Sequence, residues 1–479
     1  MTRGKTIALV SMVLLVGAMG VMAVPGLRSV VTARLPPVWR ISLSAWRHGV
    51  LVNHGVITMP DGVRLTASLY RPSAADGPMP TVLVRVPYHR LRYSEGYDSG
   101  LFFARQGYAV VVQDLRGTGD SGGELLPWRD AAKDGVATLD WIARRLWSTG
   151  KVGTYGCSGL GETQLVLAEK NHPAHAAMIP SGAGGAVGSV AGRYGYFGLY
   201  EGGVFQLASG FGWFVEHGNK QTGAPAAAAF EYAEVLGRLP VSSPVKRVRP
   251  APNGYTDFIG AAPSDPRWNT WGYLSEADPS RVPSLVINTW GDQTVGDALA
   301  LAEAWRMVPG ALSQKVVIGP GNHCHRDEAG SAIARFGDLP VRNAAWPREQ
   351  WSLRWFEHWL RGRADTFDDI KAYNYFMLVE DQWNTADQWP PAEARIERWF
   401  LGSSGHANTR AGDRTLARTN RAPASSDSFR YDPASPVPSR GGPLCCTGNP
   451  DDGVGPTEQA DVEAAAMCSS THRLRWRPT

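Results

Sequence analysis

Regular patterning begins with alternation. Between residues 51 and 72 apolar and polar positions exchange in a hairpin rhythm, with Met59-Pro-Asp-Gly62 as the tight connection between Gly55-Val-Ile-Thr58 and the run from Val63 to Tyr70. The rhythm then gives way to a continuous apolar run, Thr81-Val-Leu-Val-Arg-Val86, ended by Pro87-Tyr88. A strand that is apolar on both sides predicts a parallel sheet covered by helices on both faces. Tyr108-Ala-Val-Val-Val-Gln113 is a second such run, and Ser99 to Gln106 predicts a helix closed by Gly107. From Arg129 to Trp147 the period becomes helical, with Val136, Leu139, Ile142, Ala143 and Leu146 on one face. A short strand from Val152 to Gly156 and a helix from Glu162 to Glu169 follow. Strand and helix in alternation predict an α/β fold with a mainly parallel sheet.

The pattern changes between residues 181 and 280, where Gly, Ala and aromatic residues dominate in pieces such as Phe211-Gly-Trp-Phe214 and Trp268-Asn-Thr-Trp271. This stretch reads as an inserted, mostly helical cap. The sheet resumes with Ser284-Leu-Val-Ile-Asn288 and Lys315-Val-Val-Ile318, and Glu349 to Arg361 predicts a closing amphipathic helix carrying Trp351, Phe356 and Trp359. From Ile370 short strands and Pro/Gly turns take over (Tyr373 to Val379, Ile396 to Leu401), which reads as a separate β domain. The expected organisation is a leader or anchor with linker over 1–45, an α/β domain over 46–180 and 281–365, the cap over 181–280, and a β domain over 370–479.

Composition narrows the class. With 479 residues, 43% of them hydrophobic, the chain can bury a sizeable core in two or three domains. A net charge of +4 is small for this length, and Lys246-Arg247-Val-Arg249, the one basic cluster singled out, lies in a proline-flanked loop, so no nucleic-acid partner is expected. Arg3 and Lys5 precede an uncharged run from Thr6 to Val24, and Val21-Met-Ala23 supplies small residues for a signal peptidase, so export is expected. The run is near the lower length limit for a membrane span, which leaves an uncleaved anchor over residues 6–24 as the alternative. Cys157, Cys324, Cys445, Cys446 and Cys468 match no zinc spacing. Cys157 and Cys324 read as small buried hydrophobes, and the odd count leaves at least one thiol unpaired. No metal or organic cofactor is expected, and oligomeric state has no signature in the sequence.

The candidate chemistry centres on Ser158. Gly156 and Gly159 bracket Cys157-Ser158 between a strand and a helix, a sharp turn that lifts a hydroxyl above a sheet beside the free N–H groups of a helix start. The strict pattern G-x-S-x-G wants glycine at 160, where this chain has Leu160 and places glycine at 161. A glycine-rich turn with a solvated serine is the competing reading, and the partners decide against it. Serine at neutral pH needs a base, and the base needs an acid to fix its tautomer. Asp292 follows one strand in Trp290-Gly-Asp292, and His323 follows the next in Gly319-Pro-Gly-Asn-His323. Both lie beyond the carboxyl ends of strands, where parallel sheets place their sites, in the order Ser, Asp, His expected of an α/β-hydrolase. Asp297 is better explained in the first turn of the helix that follows, and His325 lies one step further from its strand, so Asp292 and His323 are preferred. The segment Gly117-Thr-Gly-Asp-Ser-Gly122 matches a dinucleotide fingerprint, but Gly123-Glu-Leu-Leu-Pro127 separates it from the next helix, so pyrophosphate would meet no helix N-terminus.

Taken together, Val84-Arg-Val-Pro-Tyr88, Asp114-Leu-Arg-Gly-Thr-Gly-Asp-Ser-Gly-Gly-Glu124, Gly153 to Gln164, Trp290-Gly-Asp292, Gly319 to His323 and Tyr431-Asp-Pro-Ala-Ser-Pro-Val-Pro438 resemble the cocaine-esterase-type acyl hydrolases, a family related to X-Pro dipeptidyl peptidases and α-amino-acid ester hydrolases. The resemblance spans about residues 50 to 466. It implies an α/β-hydrolase fold with helical cap and C-terminal jelly roll, with Ser158 as nucleophile, Asp292 as acid and His323 as base. It also implies an oxyanion hole built from the Tyr88 hydroxyl and the Gly159 N–H. The implied substrate is a small acyl ester or a peptide-like amide. A peptidase needs acidic groups for a substrate ammonium, and Glu201, Glu216 and Glu231 in the cap read equally well as solvated charges, so an esterase is favoured over an X-Pro dipeptidyl-peptidase activity.

Two departures bear on pocket and specificity. Gly159 stands where many members carry Tyr, and Gly321-Asn322 where they often have Trp-Ser. A third concerns the end of the chain. The residues after Ile370 look too few for a full jelly roll, and Met467-Cys-Ser-Ser-Thr-His-Arg-Leu-Arg-Trp-Arg477 reads as neither strand nor tail. A codon choice for this stretch exists that, read one base earlier, yields the strand-like Val-Leu-Val-Tyr-Thr-Ser-Pro-Pro-Leu-Glu. The expectation is a frame shift near residue 466 and a jelly roll cut short, with an inactive truncated family member as the alternative function.

Overall fold

The computed structural model describes residues 36–462 apart from 186–187, 191, 276, 325–334, 366, 408–411, 421–425, 428–439, 444, 447–453 and 461. Its centre is a ten-stranded sheet. In chain order the first elements are α1 (Pro37–Arg47), β1 (Val50–Thr58), β2 (Arg64–Pro72), β3 (Met79–Val86), α2 (Ser94–Arg105) and β4 (Ala109–Asp114). They are followed by α3 (Ala131–Ala143), β5 (Ser148–Cys157), α4 (Gly159–Ala168), β6 (His175–Ser181) and α5 (Leu207–His217). After the cap come β7 (Ser284–Gly291), α6 (Val295–Arg306), β8 (Gln314–Asn322), α7 (Arg348–Arg361), β9 (Tyr373–Met377) and β10 (Gln382–Ala386). The sheet order is β1-β2-β4-β3-β5-β6-β7-β8-β9-β10. The seven strands from β4 to β9 are parallel, with antiparallel β1, β2 and β10 at the edges.

Two-sided burial makes the parallel centre. Every residue of β3 and of β4 is buried. Val82, Val84, Val86, Val110 and Val112 face a cluster that includes Phe103, Trp355, Phe356 and Leu360 from α2 and α7, whereas Leu83 and Val111 face Leu139 and Ile142 of α3. Each such side chain contributes about 1.5–3 kcal/mol on burial, which is why the continuous apolar runs fix these strands at the centre. This layering, helices on both faces of a parallel sheet with β-hairpin edges, is the α/β-hydrolase fold.

The structure redraws three boundaries. Residues 37–45, assigned to leader and linker from sequence, belong to α1, whose Ile41 and Ala45 are buried against the sheet cluster. Tyr373–Met377, read as the opening of a separate β domain at 370, instead pairs in parallel with β8, and β10 returns antiparallel beside it. Beyond β10 the described residues show one further strand pair, Phe400–Gly402 with Thr415–Ala417. Third, β6, a strand that the apolar pattern does not predict, continues the sheet between β5 and β7 ahead of the insertion. The basic cluster at 246–249 is also not a simple loop, since Pro244–Val248 forms a short helix.

The insertion, expected to be mostly helical, holds among its described residues five helices of four to eleven residues, with turns, irregular chain and two small hairpins, Ser189–Val190 with Arg193–Tyr194 and Tyr200–Glu201 with Val204–Phe205, making up the larger part. Its aromatic residues form a core of their own. Tyr196 stacks on Trp268 at 4.0 Å, and Phe211, Phe214, Tyr255 and Phe258 join them over Leu165 and Val166 of α4 and Leu301 and Trp305 of α6. Among the described residues no helix is long and apolar enough to cross a membrane. The run Thr6–Val24, the motif Tyr431–Pro438 and the stretch 467–479 lie outside the described residues.

Candidate active site

The loops after β5, β7 and β8 bring Ser158, Asp292 and His323 together. Ser158 sits at the junction of β5 and α4 with φ 59° and ψ −129°, a left-handed conformation that costs a non-glycine residue about 1–3 kcal/mol. Packing imposes it: all ten residues of α4 are buried. The unusual position of the second glycine is explained by the same packing. A Cβ on Gly161 would lie 2.6 Å from Ala183 Cβ and 2.8 Å from the Ser181 carbonyl, so the helix can approach the end of β6 only with glycine there.

His323 Nε2 lies 2.8 Å from Ser158 Oγ, and His323 Nδ1 lies 2.8 Å from Asp292 Oδ2. The other carboxylate oxygen of Asp292 accepts the Thr294 N–H at 2.8 Å and its hydroxyl at 2.7 Å. Asp292 is fully buried. Burial alone would push its carboxyl up, but His323 and the Thr294 donors outweigh burial and hold it below the ordinary carboxylate value. Burial likewise works to lower His323, and Asp292 overrides it, raising the imidazole above its ordinary 6.5. Asp297, the rival acid, is instead buried in an ion pair with Arg193 at 2.7 Å, and burial raises it to about 6. His325 lies outside the described residues.

The two oxyanion candidates lie together beside the Ser158 hydroxyl and bond each other. The Tyr88 hydroxyl is 3.3 Å from Ser158 Oγ, and the Gly159 N–H donates to the Tyr88 oxygen at 3.2 Å. Burial raises the Tyr88 phenol, which keeps it a proton donor at neutral pH. Glycine at 159 does more than leave room: a Cβ there would lie 2.7 Å from both Pro87 Cγ and the Tyr88 hydroxyl. The dinucleotide-like loop Gly117–Gly122 turns inward, its Thr118 and Ser121 hydroxyls bonding to Leu115 and Asp114 carbonyls. His89, Asp114 and Asp120 come within metal-ligand spacing, but the Arg90 guanidinium already occupies the group, pairing with Asp114 and with Asp120 at 3.0 Å.

Several site residues escaped the sequence reading. The cap helix α5 puts His217 ring-to-ring against Tyr88 at 4.4 Å, and burial lowers that imidazole to about 4. Glu95 accepts the Cys157 N–H at 3.0 Å, and Glu162 accepts the Gly184 and Gly185 N–H groups at 3.0 and 2.8 Å. Only Glu162 had a local signal, lying four residues after the serine. Cys157 and Cys324, which read in sequence as small buried hydrophobes, are joined in a disulfide.

Residues 61–325 match the model of the X-Pro dipeptidyl-peptidase (S15) family. Cocaine esterase from Rhodococcus sp. (strain MB1 Bresler) is 31% identical over 447 residues, which cover 88% of this chain and 74% of that protein. Among solved structures, an aminopeptidase from the marine sediment archaeon Thaumarchaeota archaeon superposes with a TM-score of 0.64 at 22% identity, covering 85% of this chain and 68% of its own. A CocE/NonD family hydrolase from Staphylococcus aureus does so with a TM-score of 0.53 at 19% identity, covering 74% and 58%. These two likenesses are of fold.

Proposed function

The chain belongs to the X-Pro dipeptidyl-peptidase (S15) family, together with the cocaine-esterase-type (CocE/NonD) acyl hydrolases, and is a serine hydrolase; on that premise we propose that it cleaves small acyl esters through an acyl-enzyme on Ser158. The observation that carries this reading is the unbroken chain of contacts from Ser158 through His323 to Asp292, 2.8 Å at each step. His323 Nε2 takes the Ser158 proton as Oγ attacks the ester carbonyl, and Asp292 stabilises the imidazolium. The Tyr88 hydroxyl and Gly159 N–H donate to the oxyanion. His323 then protonates the departing alkoxide, and water, deprotonated by the same imidazole, releases the acid and restores Ser158.

Ester rather than dipeptidyl amide is favoured by the carboxylates. Glu162 and Glu95 act electrostatically on His323, but both are buried acceptors of backbone N–H groups. Glu201, Glu216 and Glu231 are exposed on the cap, and Glu216 alone approaches the site, through its 3.4 Å contact with His217. None is a buried anion set to receive a substrate ammonium. Turnover of p-nitrophenyl esters and of X-Pro p-nitroanilides by the wild-type chain and Ser158→Ala tests the reading. Ester turnover well above anilide turnover, lost in Ser158→Ala, is expected; preferential anilide cleavage would reverse the substrate assignment.

A further inference from the structure

The strands that carry the nucleophile and the base are not neighbours. β6 and β7 lie between β5 and β8 in the sheet, so the two strands run three spacings apart, about 14 Å at 4.8 Å each. No sheet hydrogen bond therefore sets the separation of Ser158 from His323, and the two loops have to lean toward each other. What joins them is covalent. Cys157 immediately precedes Ser158, Cys324 immediately follows His323, and their disulfide brings the two Cα atoms to 5.9 Å across 167 residues of sequence.

We infer that Cys157 and Cys324 are positioning residues whose disulfide braces Ser158 against His323, so that full hydrolytic turnover requires the closed bridge. The inference rests on the assignment of Ser158, Asp292 and His323 proposed above. Three observations support it. Each sulfur belongs to the residue next to a reacting side chain, so a shift of either cysteine backbone moves Oγ or Nε2 directly. Each loop also holds a non-glycine residue in the left-handed region, Ser158 at φ 59° and Cys324 at φ 55°, a conformation the surroundings have to enforce. Finally, the bridge lies against the acid. A Cβ on Gly182 would sit 2.8 Å from Cys157 Sγ, 2.9 Å from Asp292 Oδ2 and 3.2 Å from Cys324 Sγ, so all three line one small space that glycine leaves open.

Opening the bridge requires two electrons. A thiolate of an external dithiol attacks Cys324 Sγ, on the partly exposed side, since Cys157 is buried. The dithiol leaves as its cyclic disulfide and two protons complete the two thiols. Such a bridge persists outside the reducing cytosol, the setting that the apolar run Thr6–Val24 predicts.

The test uses the full chain purified without reductant. Non-reducing peptide mass spectrometry is expected to recover Cys157 and Cys324 in one linked species, and its absence would overturn the inference. Turnover of p-nitrophenyl butyrate is then measured in the oxidised chain, after dithiothreitol with the released thiols titrated, and after re-oxidation. We expect kcat to fall about 10- to 100-fold on reduction, the cost of a misplacement near 1 Å, with KM within about twofold, and to recover on re-oxidation. Cys157→Ala with Cys324→Ala is expected to share the low kcat and to ignore dithiothreitol. Should that variant not fold, the reversible reduction of the wild-type chain still decides. Equal kcat in the oxidised and reduced chain would overturn the brace. A fluorophosphonate probe on the same samples separates two failures. Label on Ser158 with turnover indifferent to reduction refutes the brace alone. Folded, oxidised chain without label on Ser158 refutes the underlying assignment and the brace with it.

Discussion

Ser158 and His323 face each other across 2.8 Å, yet unlike forces hold them. The serine caps a helix whose every residue is buried, and its strained backbone is enforced by packing on all sides. The histidine follows a strand whose last residue, Asn322, is exposed, and its ring is held by a charged contact with Asp292. A serine set by packing keeps its position when a single polar partner is lost, although its activation still depends on His323. A base set by electrostatics does not, and its state follows pH.

Asp292→Asn breaks the comparison most sharply. The variant keeps the shape but loses the anion, and a fall in kcat of about 10⁴-fold is expected, as for triads in general. The pH profile supplies the sign. The proposed mechanism needs neutral His323, and Asp292 raises this imidazole above 6.5, so kcat/KM in the wild type should fall as pH drops through an apparent pKa above 6.5. In Asp292→Asn burial is opposed only by the more distant charges of Glu162 and Glu95, so the limb should move to lower pH; an unmoved limb would mean that another group titrates. Tyr88→Phe removes one oxyanion donor and leaves both loops in place, with an expected loss of about 10²–10³-fold in kcat and little change in KM. Gly159→Ala retains its N–H but drives a methyl against Pro87 and the Tyr88 hydroxyl, so a loss of about 10–10²-fold is expected from displacement alone. Fluorophosphonate labelling should slow in Gly159→Ala and still map to Ser158, because α4 keeps its packing.

Much of this site was legible because its signals are local. Continuous apolar runs announced β3 and β4, and the candidate residues fall just past strand ends, where short motifs around Ser158, Asp292 and His323 can be read without tertiary knowledge. What was not legible depends on distance or on weak local contrast. The Cys157–Cys324 bond spans 167 residues, and no spacing rule reaches that far. β6 carries Pro180, which argues against a central strand in sequence although the structure buries it between β5 and β7. β9 follows a clear helix end and a turn, so it read as a new domain, and only its pairing with β8 assigns it to the main sheet. α1 lacks an N-terminal side-chain cap, and its exposed Trp39 and Trp46 hid the burial of Ile41 and Ala45. The placement of His217 on Tyr88 comes from the folding of the cap, for which the aromatic pattern gave composition but no register.

The most direct measurement is to label the purified chain with a fluorophosphonate probe and locate the modified residue by peptide mass spectrometry. Modification of Ser158, abolished in His323→Ala, is the predicted result. Modification of another serine, or none on soluble folded protein, would contradict the account.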